Sequence, residues 1–237
     1  MACRMFGYCG NLEADVHALY GGLKRACAND PTLTAVAEGC TRHCHGWGYV
    51  IHAENGLFHY RTARSIYEDE VVLPKLEGEI RAIFHGRFAS NPDLAGHIFS
   101  HPFMAASDTE ILFLAHNGGV QPDHLPAWTV DSEWVLQEIA RPGGLAGALP
   151  KLKAHTKSAL NLLTLSVGRG RGTPASLQYF HYFIPKAPDK AAYYQLFVGS
   201  MPGGRALVSS TFTGDGARVS ELLDLQPAAY DLLTTLG

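Results

Sequence analysis

Short apolar runs broken by glycine, and two stretches of helical periodicity, set the expected order of elements. Residues 4–8 are short, mostly apolar and ended by Gly10, which predicts a strand holding Cys3 at its tip. Val16, Leu19, Tyr20, Leu23, Ala26 and Cys27 recur at helical spacing, so an amphipathic helix is expected, stopped by Asn29-Asp30-Pro31. Residues 48–53 and 57–61 flank Glu54-Asn55-Gly56, the pattern of a tight β-hairpin. A strand over 80–88 would place Ile83, His85 and Arg87 on one face and Phe84 and Phe88 on the other. Apolar residues 111–115 predict a strand leading into His116-Asn117-Gly118-Gly119, where two glycines permit a sharp turn.

Farther along, Val135, Leu136 and Ile139 predict a helix with Asp131 or Ser132 as N-cap, ended by Arg141-Pro142-Gly143-Gly144. A second helix is expected over 149–155, then strands over 160–167, 177–184, 193–198 and 206–209. Their short connections favour antiparallel pairing. Gly168-Arg169-Gly170-Arg171-Gly172 lacks the Lys-Ser/Thr and the helix of a phosphate loop, and reads as a flexible hairpin loop. Strands dominate and helices cluster after the first and middle ones, the α+β pattern of sheets covered by helices.

Composition narrows the class. A chain of 237 residues, 46% apolar, is long enough to bury a full core, and one domain over 1–237 is expected. A net charge of -3 with scattered Lys and Arg gives no basic footprint, so nucleic acid is not an expected partner. No apolar run approaches the roughly 20 residues that span a bilayer, and no apolar stretch follows a basic start. A soluble, cytoplasmic protein with no membrane partner is therefore expected. Its five cysteines form an odd set and are expected to be reduced.

Two features carry chemistry. A cysteine whose α-amine is free holds its own general base, because that amine has a pKa of about 7.7 to 8.0 and lies within reach of the thiol. Cys3 stands close to such a position, and Asn117-Gly118 far downstream offers a carboxamide and a backbone N–H to an oxyanion. Arg87 is suited to fork onto a carboxylate, and Asp131 to pair an ammonium. Cys40, His43, Cys44 and His45 contain zinc-ligand types, but adjacent strand residues point to opposite faces and no second Cys/His pair follows at a familiar spacing. No metal is expected there.

Taken in order, Cys3-Arg4-Met5-Phe6-Gly7, His45-Gly46-Trp47-Gly48-Tyr49, His85-Gly86-Arg87-Phe88-Ala89-Ser90, His101-Pro102-Phe103, His116-Asn117-Gly118 and Asp131-Ser132-Glu133 resemble the class II glutamine amidotransferases. These are N-terminal nucleophile hydrolases, and the likeness is to their stand-alone branch, over most of the chain up to about Val167. The resemblance implies a four-layer αββα sandwich of two mainly antiparallel sheets. It implies Cys3 as nucleophile with its amine as base, and Asn117 with the Gly118 N–H as oxyanion hole. By the same likeness Arg87 would bind the glutamine α-carboxylate and Asp131 its α-ammonium. Phe88, Ser90 and His101 fall in motifs that would line the substrate site. The implied substrate is glutamine or another γ-glutamyl amide, with no cofactor and with a separate synthase chain as candidate ammonia acceptor.

The chain departs from that pattern at Ala2, which stands between Met1 and the cysteine. With only Met1 removed, the Cys3 nitrogen would be a peptide amide and the base would be missing. Further processing, an added or misassigned residue, and loss of the hydrolase chemistry are all consistent with this. Three functions follow: glutamine amide hydrolysis through a γ-glutamyl thioester, hydrolysis of a larger γ-glutamyl amide, and a catalytically inactive binding module.

Overall fold

The computed structural model describes residues 2–126, 129–170, 174–184, 188–213 and 224–237. The chain opens with β1 (Ala2–Gly10), followed by α1 (Glu13–Ala28), then β2 (Trp47–Ala53), β3 (Gly56–Thr62) and β4 (Ile80–Phe88). Next come β5 (Phe103–Ala106), β6 (Glu110–Val120), α2 (Asp131–Ile139), α3 (Gly144–Ala154) and β7 (Thr156–Gly168). The rest is β8 (Ser176–Phe180), α4 (Pro188–Tyr194), β9 (Leu196–Met201), β10 (Gly204–Ser209), β11 (Gln226–Pro227) and β12 (Leu233–Thr235). Among the described residues these strands make a seven-stranded sheet, β11-β9-β10-β1-β4-β2-β3, and a five-stranded sheet, β12-β8-β7-β6-β5. Every strand pairing is antiparallel.

Strand alternation sorts the side chains into layers. From β1, Phe6 and Tyr8 pack under α1 with Val16, Leu19, Tyr20 and Leu23, joined by Trp47 and Phe84. On the other face Met5, Val50 and Ile83 meet Phe113, Leu163, Leu165 and Leu177 of the second sheet. The sheets approach closely at Gly7, where a Cβ would come within 2.8 Å of Leu163 Cδ2. The outer face of the second sheet, with Leu112, Leu114, Leu160 and Leu162, is covered by Val135, Leu136, Ile139, Leu145 and Leu152 of α2 and α3. Each such side chain, fully buried, contributes about 1.5–3 kcal/mol. Helix, sheet, sheet, helix is the expected layer order, and no helix is long and apolar enough to cross a membrane among the described residues.

The first helix, the hairpin at Glu54-Asn55 and β4 lie where periodicity places them. Five features differ. Asn117-Gly118 is not a turn: β6 runs through it because the long β7 keeps pairing, Asn117↔Asn161 and Gly118↔Leu160, before a bulge ahead of Val120. Residues 193–198 do not form one strand, because Pro188 starts a helix that carries Tyr193 and Tyr194 onto Leu33, Ala159 and Phe183. The N-cap of α2 is Val130, and Asp131 sits inside the first turn, where its charge suits the helix N-terminus. α3 begins at Gly144 and contains Pro150, and β8 stops at Phe180. The short edge strand β5 carries no periodic signal of its own. Of the expected loop at 168–172, Arg171 and Gly172 lie outside the described residues.

Candidate active site

β1 and β4 pair in a register that sets Cys3 directly opposite Arg87, so both side chains leave the same face, toward the second sheet. From β6 in that second sheet, Asn117 reaches back across. The Cys3 N–H donates to Asn117 Oδ1 at 3.0 Å, joining residues 114 positions apart. Cys3 and Asn117 are both fully buried. Asn117 Nδ2 has no hydrogen-bond partner among the described residues. Gly118 has φ +154°, and a Cβ there would fall 1.9 Å from the Ala159 carbonyl oxygen, so the bulge beside Asn117 requires glycine.

Burial pushes the Cys3 thiol up from its ordinary pKa, opposed by the Phe88 backbone and the Arg87 guanidinium. No side-chain base shares a hydrogen bond with its sulfur among the described residues. Burial pushes His85 down to about 3 and His101 well below the ordinary histidine value. The imidazoles nearby are thus neutral, bonded or packed elsewhere.

Arg87 is 1% exposed. Its Nη1 donates to the Leu94 carbonyl at 2.9 Å and more weakly to that of His45, while Nε has no partner among the described residues. No carboxylate pairs with it among the described residues. The guanidinium instead borders a cavity of about 180 Å³, whose walls include Ser90, Leu94, Val120, Val130 and Asp131. Asp131 Oδ2 accepts the Val120 N–H at 3.0 Å, which ties the end of β6 to the start of α2.

The sequence-predicted residues separate into two groups. Arg87, Ser90 and Asp131 share the cavity wall. Cys3 and Asn117 bond each other off that wall, with Arg87, opposite Cys3 in the sheet, as the link between the two groups. Phe88, on the opposite face of β4 from Arg87, packs against the rings of His43 and His45. His101 is buried between His85, ring centroids 4.2 Å apart, and Phe103. Neither Phe88 nor His101 is on the cavity wall. The cysteine- and histidine-rich loop serves other ends: His43 bonds Asp30 at 2.7 Å, His45 Nδ1 accepts the Ala89 N–H, and Cys44 is exposed.

Sequence reasoning missed the polar groups that hold the tip of β1. Ser209, Tyr193 and Asp30 come from three distant segments and carry no motif. Arg4, directly after the cysteine and buried, was the one local signal, since a fully buried arginine requires partners.

No protein-family model matches the chain, and no curated protein matches it significantly. Among solved structures, an enzyme described as the allosteric regulatory enzyme of purine biosynthesis superposes with TM-score 0.66 at 21% identity, over 98% of this chain and 46% of that one. Glutamine phosphoribosylpyrophosphate amidotransferase from B. subtilis superposes with TM-score 0.62 at 18% identity, over 98% and 47%. A predicted glutamine amidotransferase from Pseudomonas aeruginosa aligns over 99% and 92%, with TM-score 0.47 and 14% identity. The fold assignment rests on the first two, and the chain spans about half the length of each. This chain thus has the two-sheet fold that those two enzymes carry over about half their length, in agreement with the class II glutamine amidotransferase resemblance of its motifs.

Proposed function

We propose that this chain hydrolyses the side-chain amide of glutamine through a γ-glutamyl thioester on Cys3, once the Cys3 amine is free. The meeting of Cys3 and Asn117 beside an unpaired Arg87 carries the reading. A buried guanidinium with no paired carboxylate among the described residues suits a ligand carboxylate, and Asp131 on the same wall suits an ammonium. These two would hold the head of an amino acid and send its side chain toward Cys3. Burial disfavours the thiolate, so attack needs a base within reach, and the residue's own amine is that base. The thiol proton passes to the amine as sulfur bonds the amide carbon. The oxyanion is stabilised by Asn117 Nδ2 and the Gly118 N–H. Ammonia leaves with the proton, and water then cleaves the thioester to release glutamate and restore the thiol.

A second reading draws on Ala2. The chain pairs Ala2 with Phe88 at the start of β1, and the Cys3 nitrogen joined to Ala2 is a donor without basicity. In that form the site binds an amino-acid head without turning it over. Hydrolysis of a larger γ-glutamyl amide would use the same head pocket with a different leaving group.

Intact mass of the natively expressed protein, followed by glutamate release from glutamine and from γ-glutamyl conjugates on the same sample, separates these readings. Release by protein beginning at Cys3, lost in Cys3→Ala, is the expected result. Binding without release in protein that retains Ala2 would favour the binding module, and release that survives Cys3→Ala would exclude the proposed nucleophile.

A further inference from the structure

Past Phe6, β1 loses its partner on one side, and side chains take over. Pairing with β10 ends at Phe6↔Val208. Ser209 Oγ then accepts the Met5 N–H at 3.0 Å and donates to the Met5 carbonyl at 3.1 Å. Two residues on, Asn117 Oδ1 takes the Cys3 N–H, and the Tyr193 hydroxyl donates to the Cys3 carbonyl at 3.4 Å. Alternate residues of a strand present their N–H and C=O to the same side, so Met5 and Cys3 meet these groups where a strand would otherwise stand.

Tyr193 is itself immobilised. It is fully buried, its ring lies 4.0 Å from Arg4 Cζ, and its carbonyl accepts from Arg4 Nη1 at 3.1 Å and Ser210 Oγ at 2.9 Å. Arg4 is fixed in turn by Asp30, Nε to Oδ2 at 2.6 Å, with both side chains wholly buried. Asp30 also takes bonds from His43, Thr32 and Thr211. The peptide between Cys3 and Arg4 is therefore held at its carbonyl by one group and through the next side chain by another.

We propose that Tyr193, locked by the Arg4–Asp30 ion pair, is a positioning residue for Cys3. It fixes the Cys3 carbonyl and so the direction in which the thiol leaves the backbone toward Asn117. The inference rests on the proposed nucleophilic role of Cys3. In a protein that begins at Cys3 there is no preceding peptide bond to hold the residue, so this contact, the Arg4 anchor and the pairing with Arg87 carry that task.

Breaking the Arg4–Asp30 pair strands a buried charge and threatens folding, so the test variant is Tyr193→Phe, which keeps the ring and removes only the hydroxyl. Its kcat is expected to fall roughly ten-fold with KM unchanged, the response of a displaced reacting group. Exchange of the Arg4 and Met5 backbone amides should accelerate while the unfolding midpoint stays at the wild-type value. Wild-type kcat and exchange in Tyr193→Phe, with Cys3→Ala inactive, would overturn this inference alone. Turnover that survives Cys3→Ala would overturn the function on which it rests.

Discussion

Arg87 is a buried charge with no carboxylate paired to it among the described residues. Burying a guanidinium without a carboxylate costs stability, and a ligand carboxylate would restore it. Arg87→Met should therefore stabilise the unliganded protein, by about 1 kcal/mol, while abolishing binding of glutamate. Thermal unfolding with and without glutamate checks both halves, and the wild type alone should gain stability from the ligand. Asn117→Ala removes the orphaned Nδ2 and should cost about 2.7–4 kcal/mol of transition-state stabilisation, read as kcat/KM for glutamine. The sequence singled out Cys3, Asn117, Arg87 and Asp131 because each lies in a short motif and the motifs fall in order, and the structure brings Cys3 to Asn117 and Arg87 to Asp131. Tyr193, Asp30 and Ser209 were not legible, since each acts through a contact with a residue far away in the chain. His43 was legible only as a zinc-ligand type, whereas its partner is a buried carboxylate.

Among the described elements, β6 carries a bulge directly beside the candidate site. Its bulge after Gly118 exists because a glycine there accepts a positive φ and the close approach of Ala159. Gly118→Ala should displace β6 from β7 and destabilise the fold by more than the roughly 1 kcal/mol that loss of a glycine's freedom alone would change. Chemical denaturation measures that loss, and a wild-type midpoint would contradict it. Asn-Gly in the sequence signalled a glycine-dependent backbone correctly but was read as a turn, where the structure has a bulge. That depended on β7, thirteen residues long, continuing the ladder past it. Likewise, the aromatic pair Tyr193-Tyr194 has strand propensity, and packing against Leu33 and Phe183 overrode it. Where one face alone decides, as in α1, periodicity was sufficient.

For the whole molecule, the two sheets enclose polar groups that respond to acid. Burial holds His85 down to about 3, and burial lowers His181 to about 4 against a hydrogen bond that raises it. Both lie below the roughly 6.5 of an unfolded histidine, so between those values the unfolded chain binds more protons. Their contribution to stability is complete above about pH 6.5 and is lost as pH falls toward their folded values. Asp30 acts lower down: burial would raise it, but His43 and Arg4 outweigh that and hold it well below the usual carboxylate range. Its contribution is present above about pH 4 and is lost as pH falls further. Denaturant midpoints should thus decline from pH 6.5 to 4 and go on falling beneath, and His181→Gln should flatten the upper part. A midpoint independent of pH in that range would contradict the neutral buried histidines.

The most direct test of the central claim is acid-quenched turnover of glutamine followed by peptide mass analysis. A γ-glutamyl adduct on the peptide that begins at Cys3, absent from Cys3→Ala, is the predicted result. Glutamate release with no adduct on Cys3, or with the adduct on another cysteine, would contradict it.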